Sequence, residues 1–311
     1  MKNLLKIYTL LVLVSFQTTA QQSPYFIETY AWNDIHNGWS ILQDNQNNYM
    51  IFGSSKNFDN DIWRGYSCYI NNNGILQETH DYLIENEIGF IGSTLKQGIN
   101  TEYGFFATGY TEYNTTNYNN VLYVMTNSTG NILQIDTLGP SDKATAAYAT
   151  CRTTEKGYFL AGNYDFSDDD GWDTYPYLLK LDSLGNQVWD SVYTQLLPYG
   201  YFNDIRVAQD GNYFLAGEVN YRYIDVPSNV QILKIDENAT ILDSTKLFTN
   251  EDSGWPFYEP YDVIVPNIYP TNDNGLLVIF GSNHVITTKS FNIYKLNENL
   301  EEEWHIKEDI E

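Results

Sequence analysis

Five aspartates fall within the nine residues of "DFSDDDGWD": Asp165, Asp168, Asp169, Asp170 and Asp173. Carboxylates at this density are hard oxygen donors, and calcium takes roughly six to eight of them. The segment is therefore a candidate calcium site, and Ca2+ is the one cofactor these residues point to. It fits neither of two named motifs. An EF-hand loop needs an acid five residues before its glycine, and Phe166 holds that place before Gly171. A sialidase-type Asp-box read from Ser167 leaves Trp172 out of position. A solvated acidic loop accounts for the same residues with no ligand.

A second group suits carbohydrate. Trp63 in "NDIWRG" and Trp172 in "DDGWDT" each follow closely on acids. An aromatic face flanked by carboxylates offers a sugar ring a stacking surface and acceptors for its hydroxyls. The stretch "GWPFYEPY" adds Trp255, Phe257, Tyr258 and Glu259, with Pro256 and Pro260 arguing against regular strand. "LLPYGYF" places Tyr199 and Tyr201 in a similar context one unit earlier. Packing between sheets would use the same tryptophans. No catalytic residue is assigned: histidines 36, 80, 284 and 305 stand singly, and neither a nucleophile elbow nor a phosphate loop is present.

What must position these residues is a repeat. "YMIFGSS", "GFFATGY", "GYFLAGN", "NYFLAGE" and "LLVIFGS" read as one strand in five versions, anchored by Gly53, Gly109, Gly162, Gly217 and Gly281 at steps of 56, 53, 55 and 64. After each comes a second run, "YSCYINNNG", "LYVMTNSTG", "YLLKLDSLG", "QILKIDENA" and "IYKLNENLE". Its turn position falls at Gly74, Gly130, Gly185, Ala239 and Leu300. Asp182, Asp236 and Asn297 recur there as turn residues, because short Asn, Asp and Gly side chains suit tight hairpins. One more strand before and one after each pair makes four antiparallel strands per unit. That is the description of a β-propeller blade. The expected fold is all-β, with residues 21–311 as one propeller and repeats at about 33–83, 88–140, 146–196, 203–249 and 261–308.

The pattern G-Y-F-L-A-G followed by Y-L-L-K-L-D-S-x-G-N-x-x-W resembles the repeats of secreted bacterial β-propeller proteins, which often carry a type IX secretion sorting domain. The resemblance covers residues 39–306 and is sharpest over 148–196. It implies an architecture and a type IX association rather than an activity. The departure is at the C-terminus, where "EEEWHIKEDIE" is followed by no sorting domain, implying another export route or a shortened reading frame. "YFIETYAW", residues 25–32, resembles a fourth strand without its first three, so both five closed blades and an incomplete six-bladed ring fit.

In such a blade the 1–2 and 3–4 turns share one face, and the 2–3 and 4–1 connections share the other. Here the first set is short and formulaic, while the second is long, polar and different each time. Binding is expected on the variable face.

The chain has 16 basic and 40 acidic residues, a net charge of −24. Such a field repels phosphate backbones and anionic lipid, so nucleic acid is excluded as a partner. Residues 1–20 pair Lys2 and Lys6 with an apolar run from Ile7 to Phe16 and small residues at Thr18–Ala20. This is the pattern of a secretory signal peptide, too short to span a bilayer. Secretion or surface exposure is expected, the periplasm being the other compatible compartment, with no membrane insertion and a monomeric state. Cys68 and Cys151 sit two repeats apart, beyond disulfide reach, and are expected to be buried thiols. The function these features imply is a binding scaffold for glycan or an extracellular protein. The alternative is a glycoside hydrolase or lyase, which would need two carboxylates about 5–10 Å apart in a central acidic cleft.

Overall fold

The computed structural model describes residues 35–56, 62–86, 89–112, 119–140, 143–165, 174–194, 200–219, 229–248, 262–283 and 289–310. Every regular element among them is a β-strand. The first blade is β1 (Ile35–Gln43), β2 (Tyr49–Lys56), β3 (Trp63–Ile70) and β4 (Leu76–Tyr82). A short β5 (Ile84–Asn86) joins the second: β6 (Gly89–Asn100), β7 (Gly104–Glu112), β8 (Asn120–Asn127) and β9 (Ile132–Leu138). The third comprises β10 (Ala144–Arg152), β11 (Tyr158–Asp165), β12 (Thr174–Leu181) and β13 (Gln187–Val192). The fourth comprises β14 (Gly200–Val207), β15 (Tyr213–Val219), β16 (Asn229–Ile235) and β17 (Ile241–Phe248). The fifth is β18 (Asp262–Pro270), β19 (Leu276–Asn283), β20 (Lys289–Leu296) and β21 (Glu302–Ile310). Strand order within each blade follows the chain, and all pairings are antiparallel.

Burial falls from the first strands to the fourth. β12 is buried along most of its length, while β13 alternates between exposed and half-buried and β21 is exposed throughout its described side chains. Each innermost strand packs on the innermost three of the blade before it: β6 on β1 to β3, β10 on β6 to β8, β14 on β10 to β12, and β18 on β14 to β16. The core therefore lies between blades. Phe159, Ala161 and Leu178 of the third blade meet Tyr213, Leu215 and Leu233 of the fourth, all fully buried. Because a central strand faces an apolar neighbour on both sides, its sequence is continuously apolar rather than alternating.

The 3–4 turns share one chemistry. The carboxylate of Asp182 accepts the N–H groups of Leu184 and Asn186, and that of Asp236 accepts those of Asn238 and Thr240. Asn71, Asn127 and Asn297 do the same in their blades. The residue three places on takes positive φ in every case: Gly74, Gly130, Gly185, Ala239 and Leu300. Such turns hold four residues with local hydrogen bonds alone.

The repeat glycine has a packing cause. Each innermost strand carries a β-bulge, with one extra residue opposite the second strand: at Trp39, Lys96, Tyr148 and Asn203 in blades one to four. Below each bulge a backbone carbonyl presses on the neighbouring strand. A methyl group on Gly109 would lie 1.8 Å from the carbonyl oxygen of Thr94, and one on Gly162 would lie 1.9 Å from that of Ala146. The fifth anchor needs a correction of one residue. In β18 the bulge spans Val265 and Pro266 and faces Phe280, so Phe280 takes the glycine's place and Gly281 lies one position beyond it.

Both cysteines are buried free thiols, Cys68 on β3 and Cys151 on β10, and burial raises both above the ordinary thiol range, Cys68 to about 11. No helix among the described residues is long and apolar enough to cross a membrane.

Candidate functional site

A bulge leaves its extra residue out of the ladder and re-aims its side chain. Repeated at the same register in successive innermost strands, it gathers side chains around the axis. The ammonium of Lys96 lies 3.7 Å above the ring centroid of Trp39 and 5.7 Å from that of Tyr110. Tyr110 packs edge-on against Tyr148 at 6.1 Å, and Tyr148 against Tyr201 at 5.7 Å. The Tyr201 hydroxyl then donates to Glu218 Oε2 at 2.7 Å. One continuous array thus runs through four blades. Trp39 is 52% exposed, so the array opens to solvent at its first-blade end.

Two column positions supply it. One is the bulge residue; the other follows the repeat glycine, giving Ser54, Tyr110, Asn163 and Glu218 in turn. Trp39 Nε1 donates to Ser54 Oγ at 3.4 Å, which ties the two columns in the first blade. The amide oxygens of Asn163 and Asn203 are buried without a hydrogen-bond partner. Buried acceptors are nearly always satisfied, so these two oxygens offer acceptors to water or to a ligand's hydroxyls, while the Asn203 side chain also bonds Tyr201. Burial, and then the nearby Glu218 carboxylate, hold the Tyr201 phenol well above its ordinary range. Burial does the same for Tyr148. Both phenols therefore stay protonated at neutral pH and act as neutral donors.

At three of the four internal blade boundaries the innermost strands are also bonded to each other just past the bulge. The Gly98 N–H donates to Ser40 Oγ at 3.2 Å, Thr150 N–H to Gln97 Oε1 at 2.6 Å, and Ile268 N–H to Asp204 Oδ2 at 2.9 Å. Asp204 also pairs with Arg206 Nε at 3.0 Å and accepts the Ile205 N–H. Burial nevertheless raises its carboxyl above the ordinary range. These bonds fix the spacing of the bulges and so the shape of the array.

Of the residues singled out in the sequence, the structure brings Tyr201 into this array. Trp63 opens β3 half-buried, with the Lys56 ammonium 5.7 Å over its ring. Trp172, Tyr199, Trp255, Phe257, Tyr258 and Glu259 lie outside the described residues. Asp165 ends β11, while Asp168, Asp169, Asp170 and Asp173 lie outside the described residues. Among the described residues no three His, Cys, Asp or Glu side chains converge on a metal position. Sequence reasoning missed Trp39, Lys96, Tyr110, Tyr148, Asn163, Asn203 and Glu218. The signal for three of them was available: Tyr110, Asn163 and Glu218 stand directly after the repeat glycine.

No family model and no curated protein matches the chain. Among solved structures, an ulvan lyase described as a polysaccharide lyase bound to GlcA(1-4)Rha3S aligns with 86% of this chain and 70% of its own, at TM-score 0.51 and 10% identity. This is a propeller-type fold. Drosophila plexin A in complex with semaphorin 1b aligns over 85% of this chain at TM-score 0.45 and 9% identity. A Synechocystis apocarotenoid oxygenase does so over 85% at 0.44 and 9%. The chain spans 52% of the plexin chain and 62% of the oxygenase chain. At such identities the likeness concerns fold alone.

Proposed function

We propose that this chain is an exported propeller that binds glycan at its axial aromatic array. The observation that carries the reading is the pairing of an aromatic run, Trp39 to Tyr201, open to solvent at Trp39, with the amide oxygens of Asn163 and Asn203. Sugars present apolar ring faces and hydroxyl donors together, and this array offers a counterpart to each. The leader-like first twenty residues and the resemblance to secreted propeller repeats support an extracellular or surface setting, including a type IX association. That a polysaccharide lyase of similar fold binds a saccharide is in keeping with it. The net charge of −24 opposes long polyanions, so uncharged glycans are the first ligands to try.

A hydrolase or lyase is the weaker reading because of how the buried carboxylates are used. Asp204 and Glu218 are both buried. Asp204 is committed to two backbone N–H groups and Arg206, and Glu218 accepts the Tyr201 hydroxyl. Neither is poised as a general acid facing an open cleft.

The test is a screen of neutral and acidic oligosaccharides against the wild-type protein and Tyr148→Ala. Saturable binding to a neutral glycan that the variant loses, with reducing ends unchanged over time, supports a non-catalytic lectin-like role. Binding insensitive to the variant, or release of new ends, overturns it.

A further inference from the structure

Four of the five blades bury their trailing face, the one turned to the next blade, and the fifth does not. On the third strand, the position paired with the residue before the repeat glycine is Ser67, Tyr123, Leu178 and Ile232 in blades one to four, and all four are fully buried. Its counterpart in the fifth blade, Ile293, remains partly exposed. Two residues earlier, Val121 and Val230 are fully buried, whereas Phe291 is 39% exposed. The outermost strand extends this face with Trp304 and Ile306, each 45% exposed. The first blade shows the mirror image. Ile205 and Ile268, two places past their bulges, are fully buried, but the equivalent Ile41 is 45% exposed. Ile51 is half-buried where Ala107, Leu215 and Val278 are covered completely. Behind Ile41 and Ile51, Tyr66, Cys68 and Ile70 are already buried, so the open part of this face is its axial half.

Among the described residues, no packing comparable to that of β18 on β14 joins β1 to β18, β19 or β20. A terminal repeat whose outer face is meant for water is polar. This one keeps the residue types of an internal interface, continuous with the four already formed.

We propose that the two half-interfaces are completed by a second copy of the chain, the trailing face of one fifth blade docking on the leading face of its partner's first blade. The match follows from the repeat. In the internal interfaces, leading residues such as Ile205 and Leu215 pack on trailing residues such as Ala161 and Leu178, and Ile41 with Ile51 presents the same kind of surface to Ile279 and Ile293. The contact is heterologous, so each dimer leaves one free lip of each kind and can add further copies until a ring closes. This stands against the monomer expected from the sequence.

The experiment is light scattering coupled to size exclusion on the full chain, with Ile41→Glu, Ile293→Glu and, as a second trailing variant, Phe291→Glu. All three positions are partly or largely exposed, and melting temperature confirms folding. Wild-type mass is expected to rise with concentration to that of two or more chains, while each variant alone stays at one chain, because every contact needs one intact lip of each kind. Mixing Ile41→Glu with Ile293→Glu is expected to give a 1:1 dimer, because each variant retains the lip that the other lacks. A wild type monomeric at its highest soluble concentration overturns the proposal, the more so if cysteines introduced at 41 and 293 cross-link within one chain. Oligomers that the variants leave unchanged overturn it too.

Discussion

The ammonium of Lys96 rests 3.7 Å above the ring of Trp39, so the bulge of the second blade touches the bulge of the first across their boundary. Neither side chain carries the hydrophobic core, and both are held by a backbone irregularity repeated around the axis. Trp39→Ala is expected to lower the affinity for a bound glycan at least tenfold, since stacking on an aromatic face is lost. Stability should change by only about 1 kcal/mol or less, because half of the ring is already in water. Isothermal titration beside a thermal melt separates the two. A fall of many degrees in the melt would make Trp39 a packing residue instead.

Gly162 faces the carbonyl oxygen of Ala146 with no room for a methyl group, which would sit 1.9 Å away. Gly162→Ala is expected to destabilise by about 3 kcal/mol or more, because backbone on both strands must shift to relieve the overlap. Denaturant midpoints report it. Gly211→Ala is the control: a methyl group there would make only ordinary contact, 3.9 Å from Thr154 Cγ2, but φ is 84°, so a smaller cost of about 1 kcal/mol is expected.

The turns allow a test in the opposite direction. Ala239 holds φ of 62°, a left-handed conformation that three equivalent turns give to glycine. Ala239→Gly should relieve that strain and stabilise by about 0.5–1 kcal/mol. Asp182→Ala, which removes the acceptor for two backbone N–H groups, should destabilise by about 1 kcal/mol. Urea unfolding of the two single variants and their double checks both signs. The residues lie in different blades, so their effects should add.

Asp204 ties the fourth blade to the fifth through the Ile268 N–H while its own charge is disfavoured by burial. The sign follows from linkage: a carboxyl raised in the folded state above its ordinary 3.8 binds protons more readily there. Its contribution is therefore most favourable at low pH and declines as pH rises through the folded value. Asp204→Asn keeps an acceptor without the charge, so its stability relative to wild type is expected to improve from pH 3 to pH 7, as melts across that range would show. Asp204→Ala leaves the Ile268 N–H without that acceptor and should lose about 1–3 kcal/mol throughout.

The strand repeat and its turns were legible because they are local. Hairpin chemistry at Asp182 or Asn297 needs only residues within four positions, and an apolar run such as "YFLAG" announces a strand buried on both faces. The fifth anchor was misread by one residue because the glycine is required by a bulge on another strand. In the last blade, with Pro266 in that bulge, Phe280 stands where the glycine would be.

The candidate site was mostly illegible for a related reason. Loop composition drew attention to Trp63 and the acidic cluster, whereas the array is built from strand residues whose convergence depends on the bulges and on the neighbouring blades. By itself the sequence determined the blade, its turns and the acidic character of the surface, since these depend on short-range pattern and composition. Only the tertiary structure decided which residues leave the ladder, how Lys96 meets Trp39 and Tyr110 meets Tyr148 across blades, and which faces of the first and fifth blades stay uncovered. Those outcomes depend on the register between strands and on what packs beside each sheet, which short-range pattern does not encode.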